Sequence, residues 1–108
     1  MVKREVLKAV KFFRNCLEEK EIDVTKIVLF GSQQRGNAVN ESDIDIVLVS
    51  SDFRRKSLVN RLMLIKDAEV ATIKKFMVPL DVILMTPEEF CSDSSIVAGY
   101  ARSGEVLV

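Results

Sequence analysis

The chain has 108 residues, of which 48% are hydrophobic and 30% are charged, with 16 basic residues balanced by 16 acidic ones. This length fits one globular domain over residues 1–108, and the absence of net charge argues against a generally basic nucleic-acid binder. No apolar run approaches the roughly 20 residues that a membrane-spanning helix needs, and the charged start lacks a signal peptide's apolar stretch. We therefore expect a soluble, cytoplasmic domain.

The first half of the chain predicts one helix and two strands. Residues 2–20 have the pattern of an amphipathic helix. Its inward stripe consists of Val6, Val10, Phe13 and Leu17. Residues 24–30 predict a short strand that ends at Gly31, with a short helical turn from Ser32. Residues 43–50 predict a second strand, apolar on both faces beyond its acidic start, which indicates a central position in a sheet covered by helices.

The second half predicts a long helix, a strand and further helix. Residues 54–76 have a helical pattern. The residues expected to face inward are Leu58, Leu62 and Ile65. Residues 78–85 predict a third strand, with Pro79 at its beginning or on a sheet edge. Thr86-Pro87 is typical of a helix cap and first turn, and a last helix is predicted over residues 94–104. This order of elements predicts a small α/β sandwich.

One stretch has the features of a phosphate-binding loop. Gly31 follows a predicted strand, and a glycine there lets a ligand approach the backbone closely. Free amides at a helix N-terminus attract anions, and the hydroxyl of Ser32 adds a hydrogen-bond donor. These residues therefore predict a small phosphate site at the end of a sheet strand.

Three aspartates complement this loop. Asp43 and Asp45 are two residues apart on a predicted strand, so they should project from the same face. Two like charges held this close are costly without a cation, and magnesium prefers oxygen ligands and substrate phosphates. Asp81 lies inside an apolar strand, where a buried carboxylate costs folding free energy unless it is paired, coordinated or at the sheet edge. The set predicts a metal-dependent nucleotide site, with an exposed edge residue as the alternative for Asp81.

The composition narrows the available chemistry. The chain has no histidine and only two cysteines, so serine–histidine and cysteine–histidine catalysis and histidine-ligated zinc sites are excluded, as is a four-thiolate zinc site. A base must then be a carboxylate, a lysine or a metal-bound hydroxide. Asp81 is the candidate general base, because Asp43 and Asp45 are expected to be committed to metal.

The segment GSQQRGNAVNESDIDIVLVS, residues 31–50, resembles the G-S-x3-G-x5-S-D-x-D signature of the minimal nucleotidyltransferases of the DNA polymerase β-like superfamily. The resemblance covers essentially the whole chain. It implies an α/β (α+β) fold with a small mixed sheet flanked by helices, similar to the polymerase β palm. The catalytic and metal-binding residues that it implies are Asp43, Asp45 and Asp81. The nucleotide-binding residues that it implies are Gly31, Ser32, Arg35, Gly36 and Ser42.

The resemblance also implies an activity and a partner. The activity is magnesium-dependent transfer of a nucleoside monophosphate, AMP from ATP, to an acceptor hydroxyl, with two Mg²⁺ ions at the site. Stand-alone domains of this size resemble antitoxins that adenylylate, or otherwise block, a small all-helical HEPN-type toxin. Two alternatives stay open, a non-catalytic antitoxin that acts by contact and a small-molecule nucleotidyltransferase of the aminoglycoside type. A homo-oligomer is also compatible with the sequence.

The predicted helix over residues 54–76, called here the third helical region, is rich in basic residues. They are Arg54, Arg55, Lys56, Arg61, Lys66, Lys74 and Lys75. Such a run can be a nucleic-acid face or a solvated helix face, and the solvated face is the favoured interpretation. Nucleic acid is therefore not the expected partner.

Overall fold

The structure is a computed structural model that describes residues 4–30, 44–92 and 105–106. The elements in chain order are α1 (Arg4–Glu19), β1 (Lys26–Phe30), β2 (Ile44–Val49), a 3-10 turn (Ser51–Phe53), α2 (Leu58–Phe76), β3 (Leu80–Met85), α3 (Pro87–Phe90) and β4 (Glu105–Val106). They confirm the predicted α/β class, with a mixed sheet and flanking helices. The predicted short helical turn from Ser32 and the predicted helix over residues 94–104 lie outside the described residues.

Helix α1 forms as its apolar spacing predicts. The stripe residues Val6, Val10, Phe13 and Leu17 are all buried. Burying a side chain of this kind is worth about 1.5–3 kcal/mol relative to leaving it in water, so the stripe fixes which side of α1 contacts the sheet. The helix spans Arg4–Glu19, close to the predicted 2–20, and Glu21 follows it with a left-handed φ of 62°.

The four described strands form one sheet in the order β3-β2-β1-β4. Strand β1 pairs antiparallel with β2 and β4, whereas β2 pairs parallel with β3. Because a parallel pair needs a crossover, α2 connects β2 to β3. Strand β2 is therefore central, as its apolar sequence predicts. Strand β4 was not predicted, since its two residues, Glu105–Val106, are too few to show an alternating pattern.

The two faces of the sheet have different coverings. Helices α1 and α2 cover one face in the larger core cluster, to which the strands contribute Ile27, Leu29, Ile44, Ile46, Leu48, Leu80 and Leu84. We call the opposite side the second face; its buried cluster consists of Val28, Val47, Val49 and Met85, with Phe90 of α3. Odd- and even-numbered residues of β2 thus alternate between the two clusters, as a strand requires.

Helix α2 begins later than the sequence predicts. The prediction placed its start at residue 54, but Ser50 caps a 3-10 turn, and Arg55 has a left-handed φ of 62° that a helix interior does not accept. The helix starts at Leu58, after Ser57 accepts a hydrogen bond from the backbone N–H of Asn60.

The predicted inward face of α2 is also partly wrong. Ile65 is fully buried as expected, but Leu58 and Leu62 are 64% and 42% exposed. The residues of α2 that are buried are Ile65, Ala68 and Thr72. The helix therefore contacts the sheet through a narrow stripe and turns other apolar residues to water.

The last described elements follow the predicted signals with small shifts. Strand β3 begins at Leu80 rather than at residue 78, and Pro79 precedes it, with its carbonyl accepting the N–H of Ile44 at 3.0 Å. Thr86 caps α3 in a reciprocal capping box with Glu89, and Pro87 occupies the first turn. Within the described ranges, no helix combines the length and the apolar character that crossing a membrane requires.

Candidate functional site

The predicted site residues fall into two groups. The structure describes Asp45, in β2, and Asp81, in β3. The others lie outside the described residues, namely Gly31, Ser32, Arg35, Gly36, Ser42 and Asp43. The roles given to these six from the sequence stay predictions.

Asp45 and Asp81 are direct neighbours across the parallel pair of strands. Their Cα atoms are register partners, and adjacent strands lie about 4.8 Å apart. Asp45 is two residues before Val47, and Asp81 is two residues before Ile83; both of these apolar side chains belong to the second face. Because side chains alternate along a strand, both aspartates project from the second face. The structure thus places Asp81 on the strand next to that of Asp45.

The second face changes character along its length. At one end, Val49, Met85 and Phe90 are buried together, and the amine of Lys26 lies 5.1 Å from the centre of the Phe90 ring. At the other end, Asp45 is half-buried and Asp81 is exposed. The two carboxylates therefore lie where the apolar covering of the second face stops, and we call this region the acidic end.

The phosphate-loop motif connects two chain positions at the acidic end. Strand β1 finishes at Phe30, whose Cα is the register partner of Asp45. The described chain resumes at Ile44, the residue before Asp45. Residues 31–43, which carry the Gly-Ser and Ser-Asp halves of the motif, are thus the connection between Phe30 and Ile44.

A third carboxylate, that of Glu69, is affected by the charge of Asp81. Burial raises the pKa of Glu69, a half-buried residue of α2, and the negative charge of Asp81 raises it further. Helix α2 thus brings an acidic side chain within electrostatic range of β3. Sequence reasoning did not single out Glu69, because a glutamate in a charged helix has the same signature as a solvated surface residue.

The acidic end has two carboxylates of the chemical type that binds a divalent cation. Paired carboxylate oxygens are ligands that a hard cation prefers, and a cation removes the cost of holding two like charges together. Among the described residues there is no cluster of three acidic or cysteine side chains arranged to hold a metal, and Asp43, the predicted third ligand, lies outside them. Asp45 and Asp81 therefore fit a shared divalent cation as two of its ligands.

Several basic residues of the third helical region are engaged within the chain. Arg54 pairs with Glu88 at 2.5 Å, and Arg61 pairs with Glu89 at 2.7 Å while donating to the carbonyl of Leu84. The hydrogen bond from Arg61 holds the pKa of Glu89 below its usual range. These contacts fasten α3 to the segment before and within α2.

Comparisons with known proteins find two curated relatives of this chain. A protein of Methanocaldococcus jannaschii named as a "putative protein adenylyltransferase" is 26% identical over 96 residues, which cover 83% of this chain and 65% of the relative. A second protein of that organism with the same description is 51% identical over 43 residues, which cover 39% of this chain and 43% of the relative. The chain thus spans less than two thirds of the length of either relative.

A solved structure shares the chain fold. BolA1 from Arabidopsis thaliana superposes with a TM-score of 0.54 at 18% identity, covering 82% of this chain and 98% of that chain. At this identity the likeness concerns the fold alone. The family described as "Nucleotidyltransferase domain" matches residues 10–103, which include every predicted site residue and both aspartates of the acidic end. The chain belongs to the nucleotidyltransferase domain family.

Proposed function

We propose that this domain transfers AMP from ATP to an acceptor hydroxyl in a magnesium-dependent reaction that releases pyrophosphate. The observation that carries the proposal is the pairing of Asp45 with Asp81 at the acidic end, in a chain of the nucleotidyltransferase domain family. The phosphate-loop motif enters and leaves this same end of the sheet, which supports a nucleotide site there.

One group of residues would bind the metal and another would bind the nucleotide. Asp45 and Asp81, with Asp43, would hold Mg²⁺, and Gly31 and Ser32 would bind the triphosphate through backbone amides and a hydroxyl. Arg35, Gly36 and Ser42 would complete the nucleotide site. When bound, Mg²⁺ supplies Lewis-acid stabilisation of the negative charge that develops on the phosphate oxygens.

Asp81 is the proposed general base. The acceptor oxygen forms a bond to the α-phosphorus as the bond from that phosphorus to pyrophosphate breaks, and the hydroxyl proton passes to a carboxylate oxygen of Asp81. The chain has no histidine to take this proton. Asp81 is exposed at the sheet edge, so an acceptor can reach it, while Asp45 is half-buried.

The proposed acceptor is a protein. Both relatives carry names that describe protein adenylyltransferases, and the chain covers less than two thirds of each. We propose an antitoxin role in which the acceptor is a small all-helical partner of the HEPN type. A domain that neutralises the same partner by contact alone is the competing outcome of the test.

The test uses ATP labelled at the α-phosphate, Mg²⁺ and a purified small all-helical protein of the HEPN type as the acceptor. The parent should transfer label to that protein, and Asp81→Asn should reduce the rate by roughly 10²–10⁴-fold, the usual effect of losing a general base. Asp67→Asn is the matched control, because Asp67 is an exposed aspartate of α2 that pairs with Lys20. It should keep full activity.

Thermal unfolding separates binding from chemistry. A ligand that binds only the native state raises its stability by mass action. Mg²⁺ with ATP should therefore raise the Tm of the parent most. It should still raise the Tm of Asp81→Asn, by a smaller amount, because this variant loses one of the three proposed metal carboxylates but keeps Asp43 and Asp45. It should raise the Tm of Asp45→Asn least if Asp45 is the principal ligand. Equal turnover in Asp81→Asn and the parent would remove Asp81 from the role of base. Neutralisation of the partner without label transfer would establish the contact mechanism instead.

A further inference from the structure

Strand β3 is an edge of the described sheet. Among the described residues β2 is its strand neighbour, and no strand lies on the other side. We call that other side the open edge. Its sequence, Leu80–Met85, contains neither proline nor lysine, which often keep an edge strand from pairing with another chain. An edge of this kind can accept an extended peptide as a further strand.

The hydrogen bonds to β2 show which backbone groups of β3 point outward. The N–H of Ile44 donates to the carbonyl of Pro79 at 3.0 Å, so this carbonyl faces β2. Because backbone groups alternate along a strand, the N–H and C=O groups of Leu80 and Val82 face the open edge. Among the hydrogen bonds between described residues, none uses these outward groups. The open edge therefore offers donors and acceptors at the spacing of a strand.

Helix α2 lies over the open edge on the helix-covered face of the sheet. Arg61 donates to the carbonyl of Leu84 at 3.2 Å, which places this turn of α2 beside the end of the edge. Leu62 is 42% exposed and lies within about 20° of Glu69 around the helix. Glu69 is within electrostatic range of Asp81. A strand added to β3 would therefore direct alternate side chains toward a partly exposed apolar side of α2.

The open edge also carries the proposed general base. Asp81 is exposed on the second face, between the outward backbone groups of Leu80 and Val82. In an added strand, the residue opposite Asp81 projects from the same face, with the two Cβ atoms about 4.5–5.5 Å apart. The residues before and after it project from the other face, toward α2. A hydroxyl residue between two apolar residues therefore matches both faces of the edge.

We propose that the acceptor hydroxyl reaches Asp81 within an extended segment that pairs with the open edge of β3. This segment would be the protein substrate of the proposed transferase, on which the inference rests. It is a loop or terminus of the acceptor, because a helix has already used its own backbone groups. Its pattern is a serine, threonine or tyrosine between apolar residues. The hydroxyl oxygen bonds to the α-phosphorus of ATP, pyrophosphate leaves, and the proton passes to Asp81.

A second copy of this chain fits the open edge less well. Antiparallel pairing of two β3 strands about Val82 would bring the Asp81 carboxylates of both copies to diagonal positions on the second face. Asp45 adds another negative charge beside each of them. Like charges at neighbouring strand positions are destabilising. The charges therefore favour an acceptor segment that places no acidic residue on the second face.

Hydrogen exchange tests the docking without nucleotide or metal. The probe is the symmetric peptide acetyl-Lys-Thr-Val-Thr-Val-Thr-Lys-amide, added to the full chain and followed by NMR. In the free protein the outward amide of Val82 should exchange fast, whereas those of Asp81 and Ile83, which face β2, should be protected. Several millimolar peptide should slow the exchange of Val82 by about fivefold or more. Unchanged exchange of Val82 overturns the proposal.

Methylation of the peptide backbone tests whether the contact is a strand pairing. A paired strand directs alternate N–H groups to its neighbour, so methylating two valine amides and methylating two threonine amides should differ in effect. One of these peptides should bind about fivefold more weakly or worse, because it loses two hydrogen bonds. The other should bind within about twofold of the unmethylated peptide. Equal binding of the two methylated peptides overturns the pairing.

Label transfer connects the open edge to the reaction. With Mg²⁺ and ATP labelled at the α-phosphate, the parent should label the peptide but not a version with alanine at every threonine. Val82→Pro removes an outward N–H and keeps those that face β2, so it should retain the rise in Tm with Mg²⁺ and ATP. It should lose at least tenfold of the transfer. Val82→Ala keeps the N–H and is the matched control, with transfer within about threefold of the parent.

The docking and the reaction fail in different ways. Transfer to the HEPN-type protein by a folded Val82→Pro at the parent rate overturns the docking and leaves the transferase proposal intact. Slowed exchange of Val82 with no transfer to any acceptor overturns the reaction instead. Protection of Val82 that grows with protein concentration assigns the edge to a second copy and overturns the proposal. If circular dichroism shows Val82→Pro unfolded, the methylated peptides still decide the docking.

Discussion

Replacing Asp81 with asparagine tests whether the acidic end is strained by like charges. Asp81 and Asp45 are register partners on one face, and the charge of Asp81 also contributes to the raised pKa of Glu69. Asparagine keeps the size and shape of the side chain while removing its charge. We predict that Asp81→Asn is more stable than the parent when no metal is present.

The expected gain follows from the cross-strand geometry. Charge pairs at directly neighbouring strand positions change stability by about 0.2–1 kcal/mol, and the exposure of Asp81 keeps the value within this range. For a domain near this size, 1 kcal/mol corresponds to about 4–8 °C in Tm. The variant should therefore melt about 1–8 °C above the parent in buffer that contains a chelator.

The gain in stability of Asp81→Asn over the parent should be larger at neutral pH than in acid. Because the pKa of Glu69 is raised in the folded state, the native protein loses stability as pH rises through the interval between the ordinary glutamate pKa, about 4.3, and the raised one. Without the charge of Asp81, the pKa of Glu69 is raised less, so the native protein loses less stability over this pH interval. The difference between variant and parent should be largest at pH 7 and should shrink in acid as Glu69 becomes protonated.

Thermal unfolding of both proteins at pH 7 and in acid measures this effect. Glu5→Gln, an exposed glutamate in the first turn of α1, is the control because it makes the same change in net charge away from β3. It should not raise the Tm. An Asp81→Asn protein that melts below the parent at pH 7, or that gains equally at both pH values, would refute the repulsion argument.

Three further outcomes are expected in urea denaturation. Arg61→Ala should cost about 1–3 kcal/mol, since it removes the guanidinium that donates to Glu89 and to the carbonyl of Leu84, and the loss should shrink in acid as pH falls through the lowered pKa of Glu89. Thr86→Ala removes a capping box and should cost about 1 kcal/mol. Ile65→Ala should cost about 2–5 kcal/mol, whereas Leu62→Ala, at an exposed position, should cost about 0.5 kcal/mol or less.

The parts of the fold that the sequence predicts correctly are those with one dominant local signal. The stripe of α1 has a single apolar face, so its period identifies both the helix and its buried side. Strand β2 is apolar on both faces, which indicates a central position in the sheet. The Thr86-Pro87 pair marks the start of α3, because a hydroxyl cap and a residue without an N–H suit a first turn.

Helix α2 shows where local signals are insufficient. Its start depends on the left-handed backbone of Arg55, and nothing in an arginine-rich segment indicates a positive φ. Its burial was mispredicted because apolar residues occur on several sides of the helix, and periodicity alone does not distinguish the side that contacts the sheet. Leu58 and Leu62 match the period of a core face, yet α2 packs through Ala68 and Thr72.

The candidate site depends on topology as much as on its motif. The apolar sequences of β2 and β3 allow both strands to be predicted, but they do not indicate that the two strands are parallel and adjacent. The crossover through α2 sets that relation, and it brings the first residues of both strands to the same edge of the sheet. Because β1 runs antiparallel to β2, its last residue, Phe30, meets the same edge. One mixed sheet of this order therefore gathers Asp45, Asp81 and both ends of the phosphate-loop motif, although the whole of α2 lies between Asp45 and Asp81 along the chain. A change that slipped β3 by one residue against β2 would turn Asp81 toward the helix-covered face and separate the pair without altering either aspartate.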